Sequence, residues 1–207
     1  MKDLIIVCAG GFGKETVSIV ESINKVKEEW NILGFIDDTI APGTIVYHGY
    51  KVIGSIKDYI PQTNQYFALG IATPASKEKL YNLLKGRGAK FPVLIKASAS
   101  VEPETIFGEG CVIGNSWIGT EVTLGKCVHV FGSMVGSAEI GDFSTTTAFV
   151  NVAAAKIGKR VFVGCHSAIL NGRKVGDDTK IGAGSIVINN VKPNTTVFGN
   201  PAKRIDY

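Results

Sequence analysis

The chain has 207 residues, a formal net charge of +4, 25 glycines and only 19% charged residues. That length holds one large domain or two small ones, and many glycines with few charges point to compact β-rich structure rather than disorder. No run of Lys and Arg interleaved with aromatics appears, which argues against a nucleic-acid partner. No segment is long enough to cross a membrane, so a soluble, cytoplasmic protein is expected.

Residues 1–85 alternate strand and helix patterns. "LIIVCA" reads as a buried strand, and "GKETVSIVESINKV" places Val17, Ile19, Val20, Ile23 and Val26 at helical spacing. "NILGFIDD" is a second strand ending in two acids. "YKVIGSIKDY" and "QYFALGIA" continue the series, and "SKEKLYNLLKGRG" is a helix closed by glycine. Such alternation predicts a small parallel sheet. The "CAGGFG" turn follows a strand and opens a helix, a context in which backbone N–H groups meet phosphate. Cys8 stands where the first glycine of a dinucleotide fingerprint belongs, so that fingerprint is imperfect, and a dehydrogenase reading is weak because it leaves about half the chain unexplained. A tight turn without ligand is the alternative. Cys8, Cys111, Cys127 and Cys165 make no zinc-like spacing and read as reduced thiols among apolar residues; no metal is expected.

Residues 86–94 read as a linker, and from about residue 95 to 207 the pattern changes. Ile106, Val112, Ile118, Leu124 and Val130 are six apart, as are Ile157, Val163, Ile169, Val175, Ile181 and Val187. Neither helices nor ordinary strands have that period. One aliphatic residue per six with a small neighbour suits a solenoid of short strands, the aliphatic residue inside and the small one easing each corner. Between "VHV" and "EIGDF" the rhythm stumbles: Val130 to Ile140 spans ten residues instead of twelve, and "NVAAAKIG" is also short.

With "CAGGFGKE", "FIDD", "IGAGSIVINNV" and "GNPAKRI", the repeat resembles the left-handed parallel β-helix of hexapeptide acyltransferases. Over nearly the whole chain it is similar to the branch of sialic acid O-acetyltransferases and bacillosamine N-acetyltransferases (NeuD/PglD-like). The resemblance implies a Rossmann-like nucleotide-sugar-binding domain over 1–85 and a β-helical acyl-CoA-binding domain over 95–207. It also implies a homotrimer with active sites between subunits, acetyl-CoA as co-substrate and a nucleotide-linked amino sugar, a UDP-sugar by preference, as acceptor. Gly10, Gly11, Phe12, Asp37, Asp38 and Gly70 match nucleotide-side positions. Thr145, Cys165 and Ala183 match acetyl-CoA contacts, and Lys203 with Arg204 matches the segment near the coenzyme phosphates.

The family's "IGHD" pair, a histidine base and its acidic partner, is absent. Ser137 and Ala138 stand there, and serine is no base at neutral pH. Three readings follow: transfer with another base, His129 or His166; transfer by positioning without an enzymic base; or a degenerate ligand-binding or scaffold trimer.

Overall fold

The structure, a computed structural model, describes residues 1–205. It begins with β1 (Lys2–Val7), α1 (Gly11–Val26), β2 (Trp30–Ile36), β3 (Ile45–Tyr47), β4 (Tyr50–Gly54), β5 (Gln65–Leu69) and α2 (Pro74–Lys85). The strands form one sheet ordered β3-β4-β2-β1-β5, parallel except for the β3–β4 hairpin. β1 is apolar on both faces and so needs cover on both. Leu4 and Ile6 pack with Val17 and Val20 of α1, while Ile5 and Val7 pack with Tyr81 and Leu84 of α2. Gly86 caps α2, its N–H returning to the Asn82 carbonyl.

From Leu94 the chain becomes a parallel β-solenoid with three faces of two- and three-residue strands. The first face stacks the strands beginning at Leu94, Val112, His129, Thr145, Phe162, Lys180 and Thr196. The second stacks those beginning at Ser100, Trp117, Met134, Asn151, Ala168 and Ile186, and the third those at Ile106, Thr123, Glu139, Lys156 and Lys174. Lys203–Arg204 closes the first face by pairing antiparallel with Thr196–Phe198.

The bore is filled by Ile113, Ile118, Leu124, Val130, Val135, Ile140, Val152, Ile157, Val163 and their successors. This shifts the phase expected for the first coil. Ile106 is 63% exposed and Val112 packs into the α/β core, while Phe107 and Ile113 point inward. The cause is a five-residue side between Ile113 and Ile118, where a strict count of six from Ile118 runs one residue early. The stumble is the same device: Val130 to Val135, Val135 to Ile140 and Val152 to Ile157 are each sides of five.

Most corners carry a residue in the left-handed region, and most of these residues are not glycine. Ser137 (φ +47°), Phe149 (+60°) and His166 (+57°) are examples. Such a conformation costs an L-residue about 1 kcal/mol. It lets the corner N–H reach the coil below: Ser137 donates to the Thr120 carbonyl at 2.9 Å, Phe149 to Gly132 at 2.7 Å, and His166 to Ala148 at 3.0 Å.

The two parts share their cores. Leu94 and Val112 of the solenoid lie in the cluster that holds Leu4, and Cys127 and Phe143 in the cluster that holds Ile5. Among the described residues no helix is long and apolar enough to cross a membrane.

Candidate active site

The turn after β1 is built by close backbone approach. A Cβ on Gly13 would lie 2.2 Å from the Cys8 carbonyl oxygen, and one on Gly70 would lie 2.5 Å from the Gly13 Cα. Both glycines are required by packing. Gly10 and Gly11 face open space, and α1 starts there with no side-chain cap and no acid in its first turn. Its first N–H groups are therefore available to an anion.

Gly10, Gly11, Phe12, Asp37, Asp38 and Gly70 all line one cleft of about 890 Å³. Its other walls include Ile40, Ile56, Leu80 and Leu83, with Lys57 and Lys79 contributing charge. The two acids do different work. Asp37 is buried; one carboxylate oxygen accepts from the Ala9 N–H at 2.8 Å and the other from the Thr39 N–H and hydroxyl, each at 2.7 Å, and the Ile40 N–H at 3.2 Å. Burial raises its pKa, but these donors, led by the Thr39 hydroxyl, outweigh burial and hold it below the ordinary carboxylate value. Asp37 thus fixes the glycine turn. Asp38 is exposed, has one bond to the Lys57 N–H at 3.2 Å, and keeps an oxygen for a ligand.

A second cleft, about 640 Å³, lies between α1 and the first face. Phe12, Glu15 and Ile19 line it from α1, and Phe131, Gly164, Cys165, Lys180 and Ala183 from the solenoid. Phe12 and Phe162 line both clefts, so the two adjoin. Cys165 and Ala183 are exposed beside the corner between first and second faces, the corner that carries Phe149, His166 and Gly184. There the exposed His166 ring stacks on Phe149, with centroids 4.8 Å apart.

The remaining predicted residues lie elsewhere. Thr145 is buried beneath α2, its hydroxyl donating to the Ala72 carbonyl at 2.8 Å and accepting from Lys77 at 2.8 Å; it lines neither cleft. His129 is also fully buried, and neither ring nitrogen has a hydrogen-bond partner among the described residues. Burial, then the nearby Lys77, depresses its pKa well below the imidazole value. It cannot touch a ligand in either cleft. Ala138 points into the bore with Ala155 and Val122, so it is not an exposed position from which an acid has been lost. The short sides displace the register that a motif match assumes. Ser137 is exposed, but on the corner between second and third faces, beside Trp117 and Met134. Lys203 is exposed next to Phe198, whose ring lies over Gly182.

Phe162 and Lys77 were not singled out by sequence. Lys77 carried a signal, since Lys77, Leu80, Tyr81 and Leu84 fall at i, i+3, i+4 and i+7. A lysine on the apolar stripe of a helix is either a boundary residue or a buried amine with a task.

Residues 3–84 match the family model described as the PglD N-terminal domain. Over 99% of the chain and 100% of its own length, the acetyltransferase domain of PglB from Neisseria gonorrhoeae superimposes with a TM-score of 0.90 at 22% identity. A variant of GDP-perosamine N-acetyl transferase from Caulobacter crescentus, solved with CoA and GDP-perosamine, matches 100% of the chain and 98% of its own length at TM-score 0.90 and 21% identity. A serine acetyltransferase of Buchnera aphidicola is 33% identical over 108 residues, 51% of this chain and 38% of its own. The chain spans well under half the length of the curated relatives it matches. Residues 3–84 thus carry the resemblance to the PglD N-terminal domain, and the chain as a whole shares its fold with these solved acetyltransferases.

Proposed function

We propose that this protein is an acyl-CoA-dependent acyltransferase, with acetyl-CoA as donor and the amino or hydroxyl group of a nucleotide-linked sugar as acceptor. The observation that carries this is the meeting of two clefts at Phe12 and Phe162, one lined by all six nucleotide-side positions and the other by Cys165 and Ala183. In this reading residues 1–85 are a Rossmann-like module. The diphosphate lies on the N-terminus of α1 at Gly10 and Gly11, and the free oxygen of Asp38 accepts from base or ribose. Residues 95–207 form a left-handed β-helix that binds the pantetheine arm through backbone groups near Cys165 and Ala183, with Lys203 toward the coenzyme phosphates. A UDP-sugar and a GDP-sugar are the two acceptors to compare, since GDP-perosamine is the ligand of one structural neighbour.

Ser137 and Cys165 border opposite edges of the second face. A site using both would need Ser137 from one copy and Cys165 from another, which the homotrimer implied by the resemblance would bring together. The chemistry has the acceptor nitrogen or oxygen attack the thioester carbonyl, lose a proton, and expel coenzyme A as thiol. His166 is the histidine positioned for that proton, being exposed and beside Cys165. The absence of an imidazole at Ser137 favours a second reading, a ligand-binding trimer without turnover.

Release of free thiol from acetyl-CoA is the test, with UDP- and GDP-linked amino sugars as acceptors. Turnover is expected, and His166→Ala is expected to lower kcat by about 10²-fold or more, the usual contribution of a general base. Binding without release would overturn the transferase reading in favour of the scaffold. Unchanged rates in His166→Ala would leave positioning alone as the mechanism.

A further inference from the structure

Lys77 stands one turn into α2, directly after the Gly70–Thr73 segment that lines the nucleotide-side cleft. It is completely buried against the solenoid. Its Nζ donates to the Ser144 carbonyl at 3.0 Å and to the Thr145 hydroxyl at 2.8 Å. Neither acceptor is charged. Thr145 passes the connection on, donating to the Ala72 carbonyl at 2.8 Å. Ala72 lines the nucleotide-side cleft, and Thr145 pairs in register with Phe162, the wall that both clefts share.

The titratable groups around Lys77 are Cys111, Cys127 and His129, all from the solenoid. Glu109 and Asp142, which lie near Cys127, are engaged elsewhere. Glu109 binds Tyr81 and Lys85, and Asp142 accepts from the Lys126 N–H and pairs with Lys159. Burial raises Cys111 to about 12 and Cys127 further, and drives His129 down. It also lowers Lys77, to about 7. Of this group only Lys77 changes charge near neutrality, and its neutral amine has two N–H donors for its two acceptors.

We propose that Lys77 is a positioning residue: through Thr145 and Ala72 it holds the nucleotide-side cleft and the Cys165–Ala183 cleft in one register, presenting an acceptor bound in one to a donor bound in the other. This rests on the assignment of the two clefts made above. Packing alone needs no nitrogen here. Ser144 already accepts the His129 backbone N–H at 3.0 Å, so Lys77→Met leaves no buried acceptor without a partner. That variant is expected to melt at or above the wild-type temperature at pH 6.5.

The experiment compares the full chain with Lys77→Met and Thr145→Val. In both variants calorimetric Kd values for UDP and GDP are expected within about threefold of wild type. Transfer kcat is expected to fall at least tenfold, with the KM for the acceptor sugar little changed. Unchanged kcat in both variants, or a fall in kcat matched by an equal loss of UDP and GDP affinity, overturns the proposal.

If the wild type releases no thiol, the transferase reading fails separately and hydrogen exchange decides the coupling. Binding of UDP or GDP should slow exchange at Ser144 to Thr147 in the wild type but not in Lys77→Met. Equal slowing in the two overturns it. Should Lys77→Met not fold, Thr145→Val carries both measurements.

Discussion

Asp37 commits both carboxylate oxygens to donors inside the protein, whereas its neighbour Asp38 keeps one for a ligand. Asp37→Asn turns one oxygen into a donor facing the Ala9 N–H or the Thr39 pair. It should destabilise the fold by about 1–3 kcal/mol, the cost of a lost charged hydrogen bond with a buried donor left over. Because the folded pKa of Asp37 is lowered, its contribution is present above the ordinary carboxylate value of 3.8 and disappears as pH falls through the folded value below it. Denaturant unfolding at pH 7 and pH 3 should therefore show the gap between wild type and variant closing in acid. Asp38→Asn should leave stability at pH 7 unchanged and weaken nucleotide binding. His129 gives the opposite case. Both ring nitrogens are buried without hydrogen-bond partners among the described residues, so His129→Leu should be neutral or stabilising at pH 7 and should not slow transfer, whereas His166→Ala should. A sequence displays both histidines alike. Burial by a helix some fifty residues away decides between them, and no local pattern records that.

At the scale of an element, the six-residue repeat made the solenoid legible, because one inward side chain per side is a strong periodic signal. Its phase was less legible. Successive aliphatic pairs such as Ile106–Phe107 and Val112–Ile113 offer two candidates for each inward position, and the five-residue sides move the count by one each time. The consequence falls on the place where a base and an acid were sought. Ser137 lies at a left-handed corner with an outward side chain, and Ala138 lies in the bore. Restoring a histidine and restoring an acid should thus behave differently. Ser137→His should change stability by less than about 0.5 kcal/mol, as for an exposed substitution. Ala138→Glu puts an unpaired carboxylate among Val122, Ile140 and Ala155 and should cost more than about 3 kcal/mol. Thermal melts of the two single variants and their double would check this. If Ser137→His alone raises transfer, the missing base lay at that corner.

Across the whole molecule, the seam between sheet and solenoid is closed largely by apolar contacts, and its buried amine and imidazole make it sensitive to acid. The sign follows from depressed pKa values in two bases. For Lys77 the cost of keeping the amine buried is absent above its ordinary value of 10.5, grows as pH falls, and is complete below about 7. For His129 the cost begins as pH falls below 6.5 and increases toward its lower folded value. Each group can contribute at most about 1.4 kcal/mol per pH unit within its own window. The stability gap between wild type and Lys77→Met should therefore widen from pH 10 to 7, the raised thiols of Cys8, Cys111 and Cys127 acting alike in both, and the gap between wild type and His129→Leu should widen below pH 6.5. Both gaps are measured by chemical denaturation at fixed ionic strength. A Lys77→Met protein that is more stable at pH 7 yet slower in transfer would separate positioning from stability. The lysine would then be retained at a cost to the fold because the junction of the two clefts depends on it.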